Sequence, residues 1–127
     1  MLPSKIIIGK SPVSTNADGL ISLTDLWKAA GGSKTKQPSN WLKQDGVAEF
    51  ISHVAEKANS SISRICVSKA GRYGGTYTHW QVALAFAKYL SPELHMAVNE
   101  VFMRYKAGDP KLAEEAMSAR SVSMAAA

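Results

Sequence analysis

Cysteine is almost absent: Cys66 stands alone in 127 residues, which excludes a disulfide framework and any zinc site built on several thiolates. No apolar run approaches the length of a membrane span, and Met1-Leu2-Pro3-Ser4-Lys5 does not open a signal peptide. His53 and His95 lack metal-ligand spacing. The glycine cluster at 71–75 lacks the Lys-Ser/Thr ending of a nucleotide-phosphate loop, so no metal, nucleotide or other cofactor is expected. The most informative shortage is of carboxylates. Between Asp25 and Asp45 the charges are Lys28, Lys34, Lys36 and Lys43; between Glu56 and Glu93 they are Lys57, Arg64, Lys69, Arg72 and Lys88. The acids gather in 45–56 and from Glu93 onward. Nucleases normally cluster carboxylates around a divalent metal, so these windows argue for binding, and the chain is expected not to be an enzyme. Cys66 and His79 could be imagined as nucleophile and base, but Cys66 falls in a strand-like run with no orienting carboxylate nearby, and an inert thiol is expected.

What is present suits one modest domain. The chain is 46% hydrophobic with a formal net charge of +5, and its isoelectric point is near 9.4. A basic total permits a polyanionic partner, while two acid-free windows falling on suspected recognition elements point to nucleic acid more strongly. A solvated basic surface is the bland alternative. A soluble cytoplasmic protein without membrane contact is expected.

The pattern of elements runs as follows. Lys5 to Gly9 reads as a strand because three β-branched isoleucines adjoin, and Ser11 to Asn16 reads as a loop. Asp18-Gly19 is a turn returning the chain through Leu20-Ile21, after which Ser22 caps a helix from Leu23 to Ala30 that stops at Gly31-Gly32. Pro38 opens a short helix to Asp45, with Trp41 and Leu42 inward. Val47, Phe50, Ile51 and Val54 form the inner stripe of a third helix to about Ala58. Ile62, Ile65 and Val67 mark a strand whose hairpin partner is Thr76 to Thr78, with a glycine-rich basic tip between. Trp80 to Leu90 is a largely buried helix. Ser91-Pro92 starts the last one, which carries Leu94, Val98, Val101, Phe102 and Tyr105 inward and ends at Gly108. Residues 1–108 are thus one domain, and 109–127 an Ala/Ser-rich tail or linker.

The candidate site follows from these placements. Ser39, Asn40, Lys43 and Gln44 lie on the outer face of helix 38–45, where amides can read adenine and lysine can meet guanine or phosphate. Lys34, Lys36 and Gln37 precede it as phosphate anchors. Lys69, Arg72 and Tyr73 occupy a wing at 69–77 suited to backbone or minor groove, and Arg64 is a weaker candidate one strand earlier. Trp27, Trp41 and Trp80 fall on inward faces and are expected in the core.

With these segments in place, the chain resembles the KilA-N domain of bacteriophage and large DNA-virus proteins, related to the APSES DNA-binding domain of fungal transcription factors. The matching pieces stand in order over roughly 5–106: Asp18-Gly19-Leu20-Ile21-Ser22-Leu23-Thr24, then Pro38-Ser39-Asn40-Trp41-Leu42, then Gly75-Thr76-Tyr77-Thr78-His79-Trp80 leading into Ala83-Leu84-Ala85-Phe86-Ala87. Ser91-Pro92-Glu93-Leu94 and Asn99-Glu100-Val101-Phe102 complete them. Leu20 departs from the pattern, where an aromatic residue often follows Asp-Gly; the change concerns packing. The resemblance implies an α+β fold with a helix-turn-helix core and a β-hairpin wing. It also implies a regulator of phage or prophage type, working in a bacterial host cell and binding double-stranded DNA. The alternative function is an antirepressor-like protein-interaction module, which captures a phage or host regulatory protein through exposed methionines (Met96, Met103, Met117) without touching DNA. Family members often carry a second domain after this one, so the chain reads as a minimal binder or as part of something longer. No heptad pattern supports dimerisation through the last helix.

Overall fold

A computed structural model describes residues 5–70 and 75–108. Among them the chain forms two small antiparallel sheets and six helices, an α+β fold. Strand β1 (Lys5–Ile8) turns back at Gly9, which takes φ 65°, into β2 (Ser11–Ser14). Ile6 lies opposite Val13 in this hairpin, and Ile6, Ile8 and Val13 all enter the core. Ser11–Ser14, expected as part of a loop at 11–16, is therefore a strand. Pro12 hid it, yet Pro12 is exposed on a two-stranded edge where a missing N–H is tolerated.

The Asp18-Gly19 turn is held by Asn16, whose Oδ1 accepts from the N–H groups of Asp18 (3.0 Å) and Leu20 (2.9 Å), while Gly19 takes φ 78°. Leu20 itself is buried. Strand β3 (Ile21–Ser22) leads directly into helix α1 (Leu23–Ala29), and the Ser22 hydroxyl accepts from the Asp25 N–H at 3.1 Å. The Asp25 carboxylate does not close a capping box; it accepts from the Ser14 N–H at 2.8 Å and so ties α1 to β2. At the other end the N–H of Gly32 bonds the carbonyl of Trp27 and that of Gly31 the carbonyl of Lys28, the paired bonds by which a glycine terminates a helix.

A 3₁₀ turn (Lys34–Lys36) precedes helix α2 (Pro38–Leu42), which is shorter than the expected 38–45. Helix α3 (Val47–Lys57) buries Val47, Ile51 and Val54, whereas Phe50 is exposed, contrary to its expected inward place. Asn59 closes α3 at φ 53°. The next segment also differs from expectation: Ile62–Ile65 is a one-turn helix, α4, and the strand β4 begins only at Cys66 and runs to Lys69. Ile65 anchors α4 in the core while Ile62, in its first turn, is exposed. Strand β5 (Gly75–Thr78) lies between β3 and β4.

Helices α5 (Trp80–Leu90) and α6 (Pro92–Lys106) form the most extensively packed pair of elements. One residue joins them. Ser91 donates its N–H to Ala87 at the end of α5, and its hydroxyl accepts from Leu94 at the start of α6 (3.0 Å). The core they share includes Phe86, tilted against Trp41 at 5.2 Å, and Trp80, tilted against Phe102 at 5.2 Å. Such aromatic pairs add about 1 kcal/mol each beyond the area they bury. No helix is long and apolar enough to cross a membrane among the described residues.

Candidate nucleic-acid interface

Helix α1 is the element on which both suspected recognition parts rest. Its first turn meets β5 so closely that a Cβ on Gly75 would stand 2.9 Å from Thr24 Oγ1, and Gly75 takes φ 150°. Its last turn holds the 33–37 segment, because Trp27 Nε1 donates to the Ser33 carbonyl at 2.6 Å. Trp27 is thus a half-buried clamp, while Trp41 and Trp80 are core residues as expected.

The 33–37 segment is fixed through successive carbonyls. Ser33 O accepts from Trp27, Lys34 O accepts from Asn40 Nδ2 at 3.3 Å, and Thr35 O accepts from the Tyr89 hydroxyl at 3.4 Å. Lys36 turns inward: its Nζ lies 5.5 Å from the Tyr89 ring centre and donates to the carbonyls of Tyr89 (3.4 Å) and Leu90 (3.3 Å). A cation at a helix C-terminus meets the negative end of its dipole, so Lys36 pins the loop to α5 and holds its charge there. Lys34, Ser39, Asn40, Lys43 and Gln44 are all exposed, and Gln37 is half-buried. Asn40 keeps one amide N–H and its Oδ1 uncommitted. Lys34 and Lys43 have no carboxylate partner among the described residues, and Lys43 ends α2 as its C-cap.

Two polar neighbours of Lys34 were not apparent from the sequence. Ser33 and Thr35 are exposed, with their hydroxyls 3.0 Å apart beside Lys34. Lys88 is exposed on the last turn of α5, next to the Tyr89 that binds both Thr35 and Lys36. Tyr89 meets this segment only through the packing of α5 on the 3₁₀ turn, fifty-odd residues away in sequence, and no local signal could reveal that.

The hairpin side is different. Strands β4 and β5 pair from Cys66↔Thr78 to Lys69↔Gly75, which leaves Lys69 exposed at the end of β4. Arg72 and Tyr73 lie outside the described residues. Arg64, on α4, borders an open groove of about 440 Å³ with Asp18, Ser63 and His79. His79 caps α5 through Nδ1, which accepts from the Gln81 N–H at 3.1 Å. Burial first, and the Lys106 charge second, hold its pKa below the usual 6.5, so it is neutral at pH 7. Burial pushes the Cys66 thiol up from 9.0, which disfavours the reactive thiolate. Among the described residues no three His, Cys, Asp or Glu side chains gather as a metal site requires.

The KilA-N domain model matches residues 5–108. The chain belongs to the KilA-N domain family. It is 29% identical over 96 residues to Protein kilA of Escherichia phage P1, a match covering 76% of this chain and 35% of the phage protein. The KilA-N chain thus spans about a third of that relative's length. No solved structure matches it.

Proposed function

We propose that this KilA-N chain is a phage-type regulator that binds double-stranded DNA. Helix α2 and its C-cap enter the major groove, the 33–37 segment grips the flanking phosphates, and the β4–β5 wing meets backbone or minor groove, completing a winged helix-turn-helix. One observation carries this function: a cationic, polar surface from Ser33 to Gln44 has the carbonyls of Ser33, Lys34 and Thr35 held by side-chain donors and its side chains free of carboxylate partners among the described residues. A surface ordered before binding loses little entropy on docking. Asn40 and Gln44 supply the amide chemistry that reads base edges, and Lys34 and Lys43 the charge that displaces counterions. No catalytic step and no cofactor are assigned.

The deciding experiment is an anisotropy titration of pooled random duplex DNA at two salt concentrations. Affinity that falls steeply with salt supports phosphate contact. Negligible, salt-insensitive binding would overturn the proposal in favour of capture of a regulatory protein.

A further inference from the structure

The groove of about 440 Å³ beside α4 plays no part in the function proposed above. Separate stretches of chain build it, among them the Asp18-Gly19 turn, the α4–β4 junction and His79 at the start of α5. Leu20 and Ile65, both buried, and the half-buried Val67 give it an apolar wall. Its charged groups are uncommitted. The Asp18 carboxylate and the Arg64 guanidinium are exposed and have no hydrogen-bond or ion-pair partner among the described residues. They line one groove and still do not reach each other. His79 adds a donor: its Nδ1 accepts from the Gln81 N–H, so the neutral ring carries its proton on Nε2, which has no acceptor among the described residues. An adjoining groove shares Ser60 and Arg64 but is lined by polar residues alone, Glu56 and Asn59 among them. An apolar wall with a few convergent polar groups marks the first groove as the better ligand site.

We propose that this groove binds a free α-amino acid with an apolar side chain. Such a ligand carries a carboxylate and an ammonium on one carbon, and this joined pair bridges two protein charges that do not meet. The carboxylate sits on Arg64, whose planar fork holds both oxygens, and takes a further hydrogen bond from His79 Nε2–H. The ammonium donates to Asp18, and the side chain lies along Leu20, Ile65 and Val67. Ligands with only part of this chemistry fit worse. A bare anion such as inorganic phosphate meets repulsion from Asp18, a simple amine meets repulsion from Arg64, and a hydrocarbon dries both charges without pairing either. The groove is open and its charges are screened by solvent, so the affinity is low, with a Kd of about 0.1–5 mM.

NMR titration of the full chain with L-leucine and L-phenylalanine, without DNA, tests this apart from any DNA binding. Saturable shifts should appear at the methyl groups of Leu20, Ile65 and Val67. Leucinamide, which lacks the carboxylate, and N-acetyl-leucine, which lacks the ammonium, should each bind at least about tenfold more weakly than leucine. Arg64→Ala and Asp18→Asn alter exposed side chains and should leave the melting temperature unchanged, while each weakens leucine binding at least about fivefold. Absence of saturation by about 20 mM leucine or phenylalanine would overturn the proposal. So would leucinamide or inorganic phosphate binding as tightly as leucine, or unchanged leucine affinity in Arg64→Ala.

Discussion

The two acid-free windows of the sequence have different fates in three dimensions. The first, 28–43, folds into one compact surface: Lys34 and Lys43 stay outside, and Lys36 is turned in as a pin against the end of α5. The second, 57–88, is spread over the end of α3, α4, β4 and α5. Charge density along a chain becomes charge density on a surface only where short-range bonds fold the segment upon itself. Trp27, Asn40 and Tyr89 do that for the first window by taking the carbonyls of Ser33, Lys34 and Thr35.

The largest expected effect breaks this comparison outright. Lys34→Ala/Lys43→Ala should weaken DNA binding ten- to a hundredfold at moderate salt and lower the salt slope by about two, near 0.9 per lost phosphate contact. The matched pair Lys57→Ala/Arg64→Ala should cost less than about threefold, so equal losses in anisotropy titrations would abolish the distinction between the windows. Gly75→Ala sharpens the hairpin side. Its Cβ would meet Thr24 Oγ1 at 2.9 Å with φ already at 150°, so thermal or urea unfolding should show a loss of about 1–3 kcal/mol. Trp27→Phe removes the bond to Ser33 and should cost about 1 kcal/mol in unfolding, with a further loss of DNA affinity if the clamp matters.

The smallest effect concerns pH. Well above pH 6.5 His79 is neutral folded or unfolded and contributes nothing to the pH dependence of stability. As pH falls below 6.5 the unfolded chain takes up the proton first, so stability declines until pH passes the depressed folded value. Lys106→Ala should move the His79 titration upward in an NMR experiment, though not to 6.5, because burial is the larger cause.

Much of the architecture was legible because it rests on local chemistry. Ser22, Ser91 and Pro38 start helices where their capping roles require, and Gly31-Gly32 ends α1. The family resemblance was legible for the same reason, since its pieces are these caps and turns. What was missed depended on tertiary context. Pro12 disguised β2, Ile62–Ile65 carried β-branched residues into a helical turn, and Phe50 fell in step with an apolar stripe yet faces solvent. At the candidate site, the outward faces of Ser39 and Asn40 followed from helical periodicity, Lys43 and Gln44 are exposed at and past the end of α2, and the inward turn of Lys36 needed the carbonyls of α5. Nothing within 33–37 could announce them.

Ser91 leaves no linker between α5 and α6, since it closes one helix and opens the other. Lys36 fastens the 33–37 segment to the same corner. The outer face of α6 and the surface from Ser33 to Gln44 are therefore referenced to a single vertex, like two arms of a set square. One serine and the bonds around it thus set the angle between two faces, neither of which contains it.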